Sequence, residues 1–411
     1  MKRENWKRQT FWTLPVYTGD VSGVCSALYE LGGMVVMHDP SGCNSTYNTH
    51  DEIRWMDMES LIFLSGLRDI DAITGNDRKL IDDIVEAAAA FHPKFIAIAN
   101  SPVPWLIGTD FRSICRTVQQ ETGIPTFHVE TNAMHDYTYG AGHAFAELAR
   151  MLFEEDPAGA PGAAGRLPEH RMPEGRTQDN YGAGKVSVNV LGATPLDFTV
   201  RSQIQVLRQI LEENGFEVLS IWGIGDGLET LRQASSADVS LVISSTGIYA
   251  ARYMKERFGI PYAAGIPTGA FREPLLQALR DAAGTREDRI AYLEVLESLR
   301  RADGEKKKGA SACAFCGEPV MMGSLAADRA IREQRLCDII CLTETSEGLI
   351  ADAGHMPRGE DEIRAVLSSY TDVTADPILR HVCREGTSFH EMPHFAYSGR
   401  LYLSRIPALI V

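Results

Sequence analysis

Two cysteines, Cys25 and Cys43, bracket the stretch CSALYELGGMVVMHDPSGC, 18 positions apart. Thiols at such a spacing can bond to each other, fill a core, or hold a metal. Gly23 and Gly42 lie close to them and an apolar run separates them. The pattern after Asp20 predicts a short helix closed by Gly32–Gly33, a buried strand over MVVMHD, and a further helical segment after PSGC. Each cysteine then falls in the first turn of a helix. Free N–H groups and the helix dipole there favour an anion, whether a thiolate or an iron–sulfur cluster. Both would stand at the end of the strand–helix units where α/β sheets place their sites. A spacing of 18 is neither a zinc nor a ferredoxin pattern, so metal ligation and plain core filling both stand on spacing alone.

Around these thiols, His38, His50 and Asp51 are candidate proton donors, since imidazole exchanges protons near neutral pH. The bland reading is a strand end for His38 and a solvated helix for His50. His390 and His394 in FHEMPHF are further candidates beside aromatic neighbours. Cys313 and Cys316 form a CxxC, with Cys337 and Cys341 near enough in sequence to join a second metal or disulfide site; buried strand thiols are the alternative. Cys115 and Cys383 read as packing residues. GAGKVS at 182–187 lacks the first glycine of a phosphate loop and precedes its strand. WGIGDGLE follows a strand but lacks dinucleotide spacing, so its glycines are expected to let the loop approach a substrate cavity.

The elements that must hold these groups alternate short apolar runs with amphipathic helices over 411 residues. That predicts an α/β fold of three Rossmann-like domains with mainly parallel sheets. In DRKLIDDIVEAAAAFHP, Leu80, Ile81, Ile84, Val85 and Ala88 share one helix face and Pro93 ends it. The expected units are 1–155 with Cys25 and Cys43, an exposed Pro/Gly/Ala-rich linker over 156–184, a second domain over 185–304, and a third domain with tail over 305–411. A formal charge of −15 argues against nucleic acid and suits a basic protein partner. No apolar run reaches the length of a membrane span, and the basic N-terminus has no apolar core of a secretory signal. A cytoplasmic location with reduced thiols is expected.

The stretch GDVSGVCSALYELGGMVVMHDPSGCNSTYNTHDE resembles the N-terminal cluster-binding region of nitrogenase component 1 proteins. VNVLGATPLDF and YMKERFGIPY resemble their second domain, and GEPVMMGSLA followed by SGRLY their third. This superfamily holds molybdenum–iron protein subunits, cofactor scaffolds, dark-operative protochlorophyllide reductase and the nickel-tetrapyrrole reductive cyclase. The resemblance implies that Cys25 and Cys43, with Gly42 beside the latter, hold an iron–sulfur cluster. Relatives place a third cysteine where this chain has Ser101. The second-domain cysteine that holds nitrogenase's large cofactor is missing from SLVISSTGIYAARYM, which argues against dinitrogen reduction. Two thiolates cannot complete a cubane, whereas two chains on a two-fold axis supply four. A homodimer sharing a 4Fe–4S cluster is therefore expected, with a larger 8Fe cluster using Ser101 as the lesser alternative. Electrons would come from a separate ATP-dependent, nitrogenase-reductase-like iron protein and reduce a small-molecule substrate, tetrapyrrole-like or a small unsaturated or sulfur compound. The alternative is a non-catalytic scaffold for metal-cluster assembly.

Overall fold

A computed structural model describes residues 13–14, 18–40, 52–154, 185–303 and 313–410. Gly42, Cys43, His50, Asp51 and the expected linker lie outside the described residues. The first sheet contains β1 (Met34–His38), β2 (Leu61–Leu64), β3 (Ile96–Asn100) and β4 (Thr126–Val129), in the order β2-β1-β3-β4. The second contains β5 (Val186–Leu191), β6 (Phe216–Ile221), β7 (Val239–Val242), β8 (Tyr262–Ala264) and β9 (Arg289–Ile290), ordered β6-β5-β7-β8-β9. The third contains β10 (Cys313–Gly317), β11 (Asp338–Cys341), β12 (Gly354–His355), β13 (Asp372–Ala375) and β14 (Ser388–Glu391), ordered β12-β11-β10-β13-β14. Every pairing within the three sheets is parallel.

These orders are doubly wound, and each has a switch point where the chain changes direction across the sheet. Ligands bind outside the carboxyl ends of the strands at such points. The switch points lie between β1 and β3, between β5 and β7, and between β10 and β13. β1 and β3 are buried along their whole length, so their sequences are continuous apolar runs with a polar residue only at the carboxyl end, His38 and Asn100.

The helices around the first sheet are α1 (Asp20–Leu28), α2 (Asp69–Thr74), α3 (Asp77–Phe91), α4 (Pro102–Ile107), α5 (Phe111–Thr122) and α6 (Tyr137–Phe153). α3 buries Leu80, Ile81, Ile84 and Ala88 as its periodicity predicts, and it stops where His92 turns left-handed before Pro93. α1 is buried on nearly all sides. It lies against α6 so closely that a Cβ on Gly23 would come 2.3 Å from the Tyr137 carbonyl oxygen, and one on Gly140 1.9 Å from that of Asp20.

Three expectations need correction here. Cys25 is the sixth residue of α1, beyond its first turn, so the dipole argument for an activated thiolate does not apply. The helix start is instead filled by the Asp20 carboxylate, which accepts from the backbone N–H groups of Val21, Asn132 and Ala133. The CxxC is no unit: Cys313 and Cys316 lie on one strand, where an odd spacing sends side chains to opposite faces. Cys313 is bonded to Cys337, its lateral neighbour beside β11, so the thiols are not all reduced. Finally, Gly223 has a positive φ and would clash with the Ala193 backbone if it carried a Cβ, and the Gly225 N–H donates to Glu30. That loop is tied to the first domain through Glu30.

Candidate functional site

Cys25 is fully buried, and burial, reinforced by the nearby Glu52 carboxylate, pushes its thiol well above the usual range. In that state it is an inert thiol. A bound cation is the strongest means of turning such a group into a thiolate, with release of a proton. Glu52 is where the described chain resumes after the segment bearing Cys43, and it is anchored beside α1. Arg54, fully buried, donates to both Glu52 oxygens at 2.7 and 2.9 Å, to Glu30 at 2.9 Å and to the Ser26 carbonyl at 2.8 Å. Its guanidinium stacks on the Tyr29 ring at 4.3 Å. Arg201 of the second domain pairs with the same Glu30 at 2.9 Å. The latch thus joins the cysteine helix, the far end of the Cys43 segment and the neighbouring domain.

At the first sheet's switch point, the His38 Nδ1 shares a hydrogen bond with the Ser65 Oγ at 2.7 Å. Burial holds His38 down at about 4, so the ring is neutral at pH 7 and is no ready imidazolium donor. His128 is held at about 4 for the same reason; it stacks on Phe111 and bonds Asn100 through Nε2 at 2.8 Å. Ser101 opens α4 directly after β3. Its Oγ is buried and has no hydrogen-bond partner among the described residues. An orphaned hydroxyl at a switch point, in a domain that also buries a thiol, fits the oxygen and sulfur donors of a metal group. Beside it, α2 and α4 pack together and expose Ile70, Ile73, Trp105, Leu106 and Ile107.

A second polar cluster forms where the three sheets meet. Asp197 follows β5, Ser244 follows β7, Glu318 follows β10, His394 follows β14, and Tyr137 starts α6. Asp197 accepts from the Tyr137 hydroxyl at 2.6 Å and the Ser244 hydroxyl at 2.5 Å, and faces the His394 Nε2 at 3.2 Å. Glu318 accepts from the N–H groups of Ser245 and Met321, each at 2.8 Å. Burial, then the charge of Asp197, pushes Glu318 up to about 7. The sequence pointed to His394 alone of these. His390 lies exposed and faces Asp372. Among the described residues no three His, Cys, Asp or Glu side chains form a metal site, and no helix is long and apolar enough to cross a membrane.

The family model for nitrogenase component 1 type oxidoreductases matches residues 23–304. The nitrogenase iron-molybdenum cofactor biosynthesis protein NifE of Methanosarcina barkeri is 25% identical over 300 residues, 69% of this chain and 60% of that protein. One subunit of the light-independent protochlorophyllide reductase of Chlorobium phaeobacteroides (strain BS1) is 28% identical over 247 residues, 60% of this chain and 41% of that protein. The match to the nitrogenase molybdenum-iron protein alpha chain of Clostridium pasteurianum is 25% identical and covers 69% of this chain and 51% of that one. The chain thus matches 60% or less of the length of each of these relatives. The solved structure "Nitrogenase Cp1 at pH 6.5" superposes with a TM-score of 0.61 at 14% identity, over 98% of this chain and 93% of that one, a likeness of fold. With the family model covering well over half of its length, the chain belongs to the nitrogenase component 1 type oxidoreductases.

Proposed function

We propose that the chain is the substrate-reducing component of a nitrogenase-like system. Cys25 and Cys43 would hold an iron–sulfur cluster, most simply 4Fe–4S, shared with a second copy across a two-fold axis. The observation that carries this reading is the buried Cys25 thiol in the same domain as the unpartnered Ser101 hydroxyl, on an end of the fold flanked by exposed apolar helices. The apolar face of α2 and α4 suits burial against the second copy, which the ligand count also requires. When bound, the cluster supplies one-electron transfer. Cys25 and Cys43 anchor it, Ser101 offers a further oxygen donor, and Arg54 fixes the ends that carry the thiols. The surrounding apolar side chains exclude water and shape its potential. Electrons would arrive from an ATP-dependent iron protein and reduce a small molecule, tetrapyrrole-like or small and unsaturated or sulfur-bearing, at the domain junction, in the cytoplasm.

The match to a cofactor biosynthesis protein favours one other reading, a scaffold on which a metal cluster is assembled. Anaerobic purification separates the readings. About four irons per dimer, a cluster signal in electron paramagnetic resonance lost in Cys25→Ser, and electron consumption with an iron protein and ATP are expected. Iron near zero ends both; iron that exchanges without electron consumption leaves the scaffold.

A further inference from the structure

The junction cluster contains an imidazole held from two sides. The backbone N–H of His394 donates to the Asp376 Oδ2 at 2.7 Å, and Asp376 in turn accepts from the Ser398 hydroxyl and the Ile378 N–H. The ring presents Nε2 to the Asp197 Oδ1 at 3.2 Å. With a carboxylate on that side, the proton of the neutral ring belongs on Nε2, and Nδ1 keeps its lone pair. His394 is only 5% exposed, and neither ring nitrogen has a hydrogen-bond partner among the described residues, so Asp197 faces Nε2 as a charge contact without a formed hydrogen bond. Buried polar atoms are ordinarily satisfied, so an orphaned one backed by a carboxylate asks for a use. A carboxylate behind an imidazole fixes its tautomer and stabilises the imidazolium that forms when the free nitrogen takes a proton.

The cluster is also mechanically close to Cys25. Tyr137, bonded to Asp197, presses its backbone on Gly23, which is two positions from Cys25, about 3 Å along the helix axis. The groups facing the imidazole are Asp197, the Tyr137 hydroxyl, Tyr397 with its ring centroid at 4.7 Å, and Asp376, with Glu318 acting on Asp197 through its charge. All are buried, and among them only His394 carries a basic nitrogen.

We propose that His394, held by Asp197, is a proton-loading station for the reduction. This rests on the reductase reading above. Nδ1 takes a proton from a solvent hydronium ion, whose O–H bond breaks with its electron pair left on the released water as the N–H bond forms, when an electron from the iron protein reaches the chain. On delivery that N–H bond breaks with its electron pair left on nitrogen. The substrate atom, carrying the electrons received, forms the new bond to hydrogen. Asp197 is a positioning residue.

The test is the midpoint potential of the cluster signal in the full-length, iron-loaded protein, without substrate, titrated across roughly pH 6 to 9. If reduction draws a proton to His394, the potential falls with rising pH over part of that range, by up to about 59 mV per unit. His394→Gln, with iron content and signal shape retained, is expected to give a flat profile. Asp197→Asn, which keeps an acceptor for Tyr137, is expected to move the sloping region to lower pH, and it carries the test if the histidine variant does not fold. A flat profile in the unaltered protein overturns the proposal, as does an unchanged slope in both variants. Histidine nitrogen coupling in the cluster signal that disappears in His394→Gln would make the residue a ligand and overturns it too. Absence of iron from the unaltered protein is a different failure, that of the reductase reading itself.

Discussion

The carboxyl end of the first sheet and the junction of all three sheets handle buried polarity in opposite ways. At the first sheet, Cys25, His38 and His128 are kept uncharged by apolar surroundings. At the junction, polar groups are gathered on one another: Asp197 accepts from two hydroxyls and faces an imidazole, while Glu318 is pushed toward neutrality beside it. The first arrangement suits donors that wait for a cation. The second suits groups that pass protons. The contrast implies different responses to truncation and to pH.

The largest effects should come from removing charges that others depend on. Arg54→Met leaves Glu52 buried without its guanidinium and Glu30 with Arg201 alone, at a cost of about 3–5 kcal/mol. Asp197→Ala orphans the Tyr137 and Ser244 hydroxyls and should cost about 2–5 kcal/mol, with Asp197→Asn costing less because one acceptor remains. Chemical denaturation followed by tryptophan fluorescence would read both. Arg201→Met, at a partly exposed position, should cost under about 1 kcal/mol; an equal loss would mean that the latch depends on Arg201 as much as on Arg54.

Next in size is pH, where the two regions should move apart. Glu318 is raised from 4.5 to about 7, so the native state binds that proton more tightly than the unfolded chain. The stability it contributes is full below about 4.5 and is lost as pH rises through about 7. His38 and His128 are lowered from 6.5 to about 4, so their contribution is full above 6.5 and drains away as pH falls toward 4. Glu318→Gln should therefore remove a contribution that falls with rising pH between about 4.5 and 7, and His128→Gln one that rises with pH between about 4 and 6.5. If each variant removed the contribution of opposite slope, the assignment of charge states to the two regions would be reversed.

What the sequence made legible follows the range of the interactions involved. The parallel strands were readable because β1 and β3 are continuous apolar runs, and α3 because one face repeats at helical spacing. Cys25 stands out in the sequence because Cys43 follows it across a single apolar run. Tyr137, Asp197, Ser244 and Glu318 were not, because each is an ordinary polar residue locally and acquires meaning only where the switch points of the second and third sheets meet the start of α6. One signal was available and missed. Glu52 and Arg54 sit in an otherwise apolar and aromatic run, EIRWM, where a solvated charge pair would be out of place. The role of the CxxC stayed open between buried strand thiols and a disulfide or metal site joined by Cys337 or Cys341, although the strand period of two already placed Cys313 and Cys316 on opposite faces.

The smallest expected effect is the sharpest on the first region. Ser101 occupies the N-cap position of α4, yet its side chain caps nothing, and its buried Oγ meets no partner among the described residues. Ser101→Ala should leave the stability of the metal-free protein within about 0.5 kcal/mol, since it removes no hydrogen bond. Ser65→Ala is the matched control. Ser65 bonds the His38 ring at 2.7 Å and the Asp39 N–H at 3.1 Å, so its loss should cost about 1–2 kcal/mol at the same end of the sheet. In the iron-loaded protein the ranking should invert, with Ser101→Ala altering the cluster signal and Ser65→Ala sparing it. Should Ser101→Ala instead destabilise the metal-free protein as much as Ser65→Ala, the Ser101 hydroxyl would have a protein partner between Pro40 and Glu52, and it would be a structural group with no oxygen to spare for a metal.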